Sequence, residues 1–309
     1  MRPIVSTLPL LLSVLVFNLS AVCNAQEPTI DRVNETEHSK LVNLETEKDV
    51  NDVSEEVEFI WQITLGLSAG VHKSILAGDT QGDRLSNTLN IPLLIDVYYK
   101  GFFIQSSQRR IEGIFGNAEF GYQVSATENW SLDILSKTYI GDINSAEVIE
   151  DNELENSILE GLPTRRLGQG LGLRYSRFFD DDILYFDVAS LVTIDGGNDY
   201  VVDIYYSHFI PYYNWNIYIG GGLTYFSEDA TNYYVGIDHD EVTEQRQYYQ
   251  VNSGGYSAQA EVLVLYPLSE NWTFNAGINH AYYSSEVADS PIIERPDSTI
   301  ASFGVLYAF

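Results

Sequence analysis

Five histidines and one tight acidic run are the residues whose types could do chemistry. The histidines are His38, His72, His208, His239 and His280. An imidazole near neutral pH can serve as general base or metal ligand. A hydrolase of the Ser-His-acid kind needs all three groups brought together by the fold. His38 falls in a polar tail, and His72 and His239 fall at or in connections. His208 and His280 sit near the ends of alternating segments, on the apolar phase, where a ring at a membrane interface is the plainer role. Asp238-His239-Asp240-Glu241 has the ligand atoms for a divalent cation. It lacks the fixed spacing and the glycine of a calcium loop, so a solvated connection is the expectation. No glycine-rich phosphate loop or paired-cysteine motif occurs. The reading is a non-enzymatic protein with no catalytic residues, no metal site and no cofactor.

A second set of polar residues is spaced differently. Asp96, Glu119, Asp133, Lys137, Arg174, Asp187, Asp203 and Glu261 each fall on the polar phase of a segment that alternates apolar and polar. Such residues need an element that turns successive side chains to opposite faces, which is a β-strand. Trp61, Ile63, Leu65, Leu67, Ala69 and Val71 alternate with Gln62, Thr64, Gly66, Ser68 and Gly70. Trp215, Ile217 and Ile219 alternate with Asn216 and Gly220, and Trp272, Phe274, Ala276 and Ile278 with Thr273, Asn275 and Gly277.

The pattern gives about twelve segments, each near the length of a tilted membrane-crossing strand. The spans are 59–71, 89–99, 101–107, 116–125, 130–140, 166–178, 182–192, 199–210, 214–226, 254–266, 271–283 and 300–309. Every second connection is tight: Lys100-Gly101, 126–129, 180–181, 211–213 and 267–270. The others are mostly longer: 72–88, 108–115, 141–165, 193–198, 227–253 and 284–299. Outer-membrane barrels are built with short periplasmic turns and longer external loops. The predicted fold is all-β, a transmembrane antiparallel up-and-down β-barrel with both termini periplasmic. Lipid cannot satisfy an open strand edge, so the sheet must close. The apolar phase faces lipid and lipopolysaccharide, and the eight polar residues face the lumen. At this strand number a filled or loop-blocked lumen is favoured over an open pore.

Composition agrees with this class. The chain of 309 residues has a formal net charge of −28, with 22 Tyr, 14 Phe and 4 Trp. The acidic excess argues against nucleic acid, which needs clustered Lys and Arg. Tyr and Trp suit the girdles where a barrel meets the membrane surface. Residues 1–25 read as a signal peptide: Arg2, an apolar core from Leu10 to Leu19, and Cys23-Asn24-Ala25 at the cleavage site. Cleavage there removes the sole cysteine. Val22 disfavours lipidation of Cys23. Residues 26–57 are acidic, polar and without aromatics, which predicts a disordered periplasmic tail. Residues 58–309 form the barrel. The last strand alternates Ala301, Phe303, Val305, Tyr307 and Phe309 with small or polar residues and stops on an aromatic. Phe303, Tyr307 and Phe309 are read as the signal for the outer-membrane assembly machinery, which pairs with an extended edge while aromatics dock in a groove.

Several segments carry a resemblance beyond class. "EDATNYYVGI" (228–237), the run from Gly254 to Ile293 that contains "SEVADSPI", the closing "FGVLYAF" and the early "LNIPLLIDVYYKGFFIQ" (89–105) resemble the MipA/OmpV family, over roughly residues 58–309. The resemblance implies a scaffold that brings a lytic murein transglycosylase together with a penicillin-binding protein in peptidoglycan synthesis. Other members are described as porin-like, so the alternative is a narrow channel for small solutes. No catalytic residues come with the family.

Overall fold

The computed structural model describes residues 59–80, 89–106, 110–111, 118–192 and 199–309. The signal peptide expected over 1–25 and the acidic tail over 26–57 lie outside the described residues.

Twelve antiparallel strands follow in chain order: β1 Ile60–Lys73, β2 Leu93–Tyr99, β3 Phe102–Ser106, β4 Ala118–Thr127, β5 Trp130–Ile140, β6 Gly168–Phe178, β7 Asp182–Leu191, β8 Tyr200–Tyr212, β9 Trp215–Phe226, β10 Gly255–Pro267, β11 Trp272–Tyr283 and β12 Asp297–Ala308. Each pairs with its neighbours in sequence, and β12 returns to β1 to close the barrel. The closing register runs from Thr64 opposite Ala308 to Lys73 opposite Thr299. Closure leaves no strand edge unpaired.

The expected strands differ from the observed ones only at their ends. The second begins at Leu93 instead of 89, because Pro92 carries no N–H and interrupts the ladder. Asn90 still bridges Ser68, and the Pro92 carbonyl accepts from Gly66 N–H at 2.8 Å. The last strand starts three residues early, at Asp297, where Lys73 meets its carboxylate at 3.8 Å.

The tight connections gather at one end of the barrel, the turn end. Lys100 and Gly101 both have positive φ, 52° and 83°. Two-residue hairpins favour that geometry because its twist matches the flanking strands. The longer connections gather at the other end, the loop end. Among the described residues they carry three short helices: α1 Ser145–Asp151, α2 Glu228–Val235 and α3 Ser285–Ala288. Asn144 caps α1 and Ser227 caps α2, each accepting a backbone N–H of the first turn; such caps satisfy donors that a helix cannot pair itself.

The outer wall is apolar on every strand. Leu67, Phe120, Leu171, Leu173 and Phe303 stay about half exposed. A continuous apolar surface of that extent would be costly in water and is at home in lipid. Rings cluster at the turn end: Trp215 with Tyr266 at 4.8 Å, and Trp272 with Tyr307 at 5.0 Å. Phe309 continues the second group, 4.9 Å from Tyr307. Among the described residues no helix is long and apolar enough to cross a membrane; the strands do the crossing.

Candidate functional site

The interior is layered. At mid-height the cross-strand register sets charged residues side by side on the inner face: Asp133 opposite Arg174, Arg174 opposite Asp187, Asp187 opposite Asp203. Arg174 forks between two carboxylates. Its Nε donates to Asp187 Oδ1 at 2.7 Å, and its Nη2 to Asp187 Oδ2 at 2.8 Å and Glu119 Oε1 at 3.0 Å. Nη1 also donates to Glu119. Lys137 Nζ lies 2.8 Å from both Asp187 Oδ2 and Asp203 Oδ2. The Tyr205 hydroxyl donates to Glu261, which also accepts from Asn279 Nδ2 at 3.0 Å.

All of these side chains are buried. Charges taken out of water persist only when paired and hydrogen-bonded. The pairing is reciprocal enough that the belt holds itself in place. Two glycines make it possible. A Cβ on Gly170 would meet the Tyr139 ring at 2.6 Å, and one on Gly220 the Tyr205 hydroxyl at 2.2 Å. Tyr139 can therefore lie across the wall and donate to Asp187 at 3.2 Å.

Six of the eight polar residues named from the sequence thus join in a belt around Arg174, Lys137 and Tyr205. Two stand apart from it: Asp133 accepts from Ser131 at 2.9 Å, and Asp96 accepts the Ser106 N–H at 3.0 Å.

Beyond the eight, the belt takes in Tyr139 and Tyr205, and two further interior residues come from a connection. Arg110 and Ile111 belong to the connection between β3 and β4, which was expected to stay outside. Both enter the barrel. Arg110 stacks 4.1 Å over the Tyr205 ring and approaches Asp203 at 3.9 Å. Ile111 is fully buried, its Cδ1 3.0 Å from where a Gly277 Cβ would stand. The physical reason is charge. Glu119, Asp187, Asp203 and Glu261 outnumber Arg174 and Lys137, and Arg110 supplies a third cation.

Toward the turn end the lumen is packed with apolar side chains. Leu94, Phe209, Tyr218, Leu263, Leu265 and Leu306 form one buried cluster, with Phe209 and Tyr218 ring centroids 5.2 Å apart. The sequence sign was an apolar side chain in the polar phase: Leu94 in step with Asp96, Phe209 with Asp203, Leu263 and Leu265 with Glu261, and Leu306 with Ser302.

Toward the loop end the lumen opens into a cavity of about 480 Å³. Glu119, Lys137, Asp203 and Arg110 form its floor, and α2 and α3 its roof. The roof is an apolar cluster of Leu76, Tyr234, Val235, Ile237, Val287 and Ile292 with neighbours. Polar ties lock it. Ser290 Oγ donates to the Val235 carbonyl at 2.6 Å, Tyr234 OH to the Arg166 carbonyl at 2.8 Å, and Gly255 N–H to Thr231 Oγ1 at 2.9 Å. The two runs that carried the family resemblance at 231–237 and 285–292 therefore meet each other here.

The acidic run 238–241 also serves the roof. Glu241 accepts from Arg165 at 2.8 Å and from the Asp238 N–H at 3.0 Å. Burial pushes its carboxyl upward, but Arg165, the Asp238 N–H and Arg246 together hold it below the usual glutamate range. Arg246 is buried and donates to the carbonyls of Glu241 and Ile158 at 2.8 and 2.7 Å. His239 stacks on Tyr248 at 4.3 Å. Among the described residues no three His, Cys, Asp or Glu converge on a metal position. His208 pairs with Asp182, and His280 lies 2.9 Å from Thr299; both pairs are on the outer wall. His72 lines the cavity.

Comparisons with known proteins bear on the whole barrel. The profile of the family described as "MltA-interacting protein MipA" matches residues 65–309. Outer membrane protein OmpV of Vibrio cholerae is 25% identical over 211 residues, 62% of this chain and 76% of that protein. Outer membrane protein Omp26La of Vibrio anguillarum is 26% identical over 176 residues, 54% of this chain and 64% of that one. The MltA-interacting protein of Escherichia coli is 24% identical over 148 residues, 48% of this chain and 59% of that one. The match thus spans less than two thirds of the last two. Among solved structures the NanC porin superposes with a TM-score of 0.37 at 11% identity, covering 79% of this chain and 98% of that one.

Proposed function

Since the chain belongs to the MltA-interacting protein MipA family, we propose that this outer-membrane barrel is a non-enzymatic, non-conducting scaffold for murein enzymes. The observation that carries the reading is the apolar plug. Six buried apolar side chains pack together in the lumen toward the turn end, so in this reading the rims and not the pore do the work.

In this reading the turn end faces the periplasm, with both termini on that side. Its turns present the anchors that protein interfaces use. Tyr213 is 89% exposed, and Tyr212, Leu268 and Phe179 project beside it. The Escherichia coli relative is named for interaction with MltA. Carried to this chain, the partner is a lytic transglycosylase, with a penicillin-binding protein as the second enzyme that the family resemblance implies. The last strand addresses the chain to the assembly machinery through Phe303, Tyr307 and Phe309.

Two measurements test this. Affinity capture from solubilised envelope should recover a lytic transglycosylase, and Tyr213→Asp with Leu268→Asp should lose it. Recovery of no murein enzyme by the wild type would sink the scaffold. Purified barrel in planar bilayers should give no stable openings; reproducible single-channel steps would favour the narrow porin-like channel instead.

A further inference from the structure

The scaffold reading leaves the loop end unexplained. There the chain keeps a roofed space open, although it fills the rest of the lumen with side chains. The plug and the belt are packed so closely that glycine positions beneath Tyr139 and Tyr205 admit no Cβ. Above them lies a cavity of about 480 Å³, inside the range of small-molecule sites. The roof over it is made by α2 and α3, and its Thr231, Tyr234, Val235 and Val287 line the space.

We propose that this chamber is a binding site for a small uncharged polyhydroxylated solute, of one or two sugar rings. Three features point to that class. The floor charges are already matched: Lys137 by Asp187 and Asp203, Glu119 by Arg174, Asp203 also by Thr224 at 2.8 Å. A charged guest would have to break those pairs, and an anion would also meet the carboxylate majority of the belt. The walls carry groups that both donate and accept. Gln259 and Asn279 are joined by a 3.1 Å bond, and a carboxamide has capacity beyond one bond. Ser257 and Ser298 add hydroxyls. The roof is aromatic and aliphatic, which suits the C–H faces of a sugar ring. A wholly apolar guest would instead strip solvent from a charged floor at a cost. The site stands independently of the scaffold reading, because the plug separates it from the turn end.

The full mature barrel, refolded in dodecyl dimethylamine oxide to avoid sugar detergents, tests this. Maltose, lactose and N,N′-diacetylchitobiose are titrated with saturation-transfer NMR, and lactobionate serves as the anionic counterpart of lactose. At least one neutral disaccharide should bind saturably, and lactobionate about tenfold or more weaker. Ala281→Trp places an indole in the chamber from β11 and should weaken the neutral sugar about tenfold or more. Folding is checked by heat-modifiable migration, and Ser257→Trp replaces the first variant if that one does not fold. Absence of saturable binding by all three sugars overturns the proposal. So does binding undiminished by the folded tryptophan variant, or lactobionate binding as tightly as lactose.

Discussion

Arg174 shows how much one side chain can organise. It neutralises two buried carboxylates, Asp187 on the adjacent β7 and Glu119 on β4, one strand further round the wall. Arg174→Ala takes the bidentate cation from Glu119 and leaves Asp187 to Lys137 and Tyr139, and breaking a buried pair from one side costs about 3–5 kcal/mol. The urea midpoint of refolded barrel in vesicles should fall accordingly. Arg174→Lys should recover only part of the loss, because an ammonium cannot fork to both partners. A midpoint unchanged in the alanine variant would mean that the belt is not structural. Glu241 supports a pH prediction of definite sign. Its folded carboxyl titrates below the usual range, so its contribution is present above the unfolded value of about 4.3. That contribution is lost as pH falls through the lower folded value. Protection factors for amide exchange around 237–249, taken relative to the intrinsic rate at each pH, should fall on acidification below about pH 4, and Glu241→Gln should flatten that response.

The strands were the most legible elements. Period-two alternation located all twelve, because one face of each must meet lipid and the other the interior. Strand ends were less legible, since they depend on partners. Pro92 moved one of them, and the pairing of Asp297, Ser298 and Thr299 with Tyr282, Ala281 and His280 of β11 moved another. The Lys100-Gly101 turn belongs to this scale. Both residues hold positive φ, and a Cβ on Gly101 would meet the Tyr122 ring at 2.9 Å. Gly101→Val should cost about 1–3 kcal/mol in urea unfolding. Lys100→Asn should be neutral or slightly stabilising, as Asn-Gly is the preferred pair for such a turn. Equal effects of the two substitutions would contradict the assigned geometry.

At the scale of the molecule, the barrel is a wall around three unlike layers: apolar plug, charged belt, roofed chamber. Leu263→Ala with Leu306→Ala should remove part of the plug. Each large-to-small change in such a core costs about 2–5 kcal/mol, and the double variant should be the first to show brief conductance in planar bilayers. A silent double variant that remains folded would place the seal elsewhere. The sequence alone determined the class, the strand number, the short-long alternation and the polar phase, because these follow from local periodicity and a membrane's demand for paired backbone. What Asp96 and Asp133 do apart from the belt, how Arg110 enters it, and which leucines meet in the lumen were decided by the tertiary structure. Closing the sheet brings side chains from β2, β8, β9, β10 and β12 to one point across the lumen. No spacing along the chain encodes that meeting. The final strand lies at both limits: its alternation is written in ten consecutive residues, while the partner for its edge, β1, stands more than two hundred residues away.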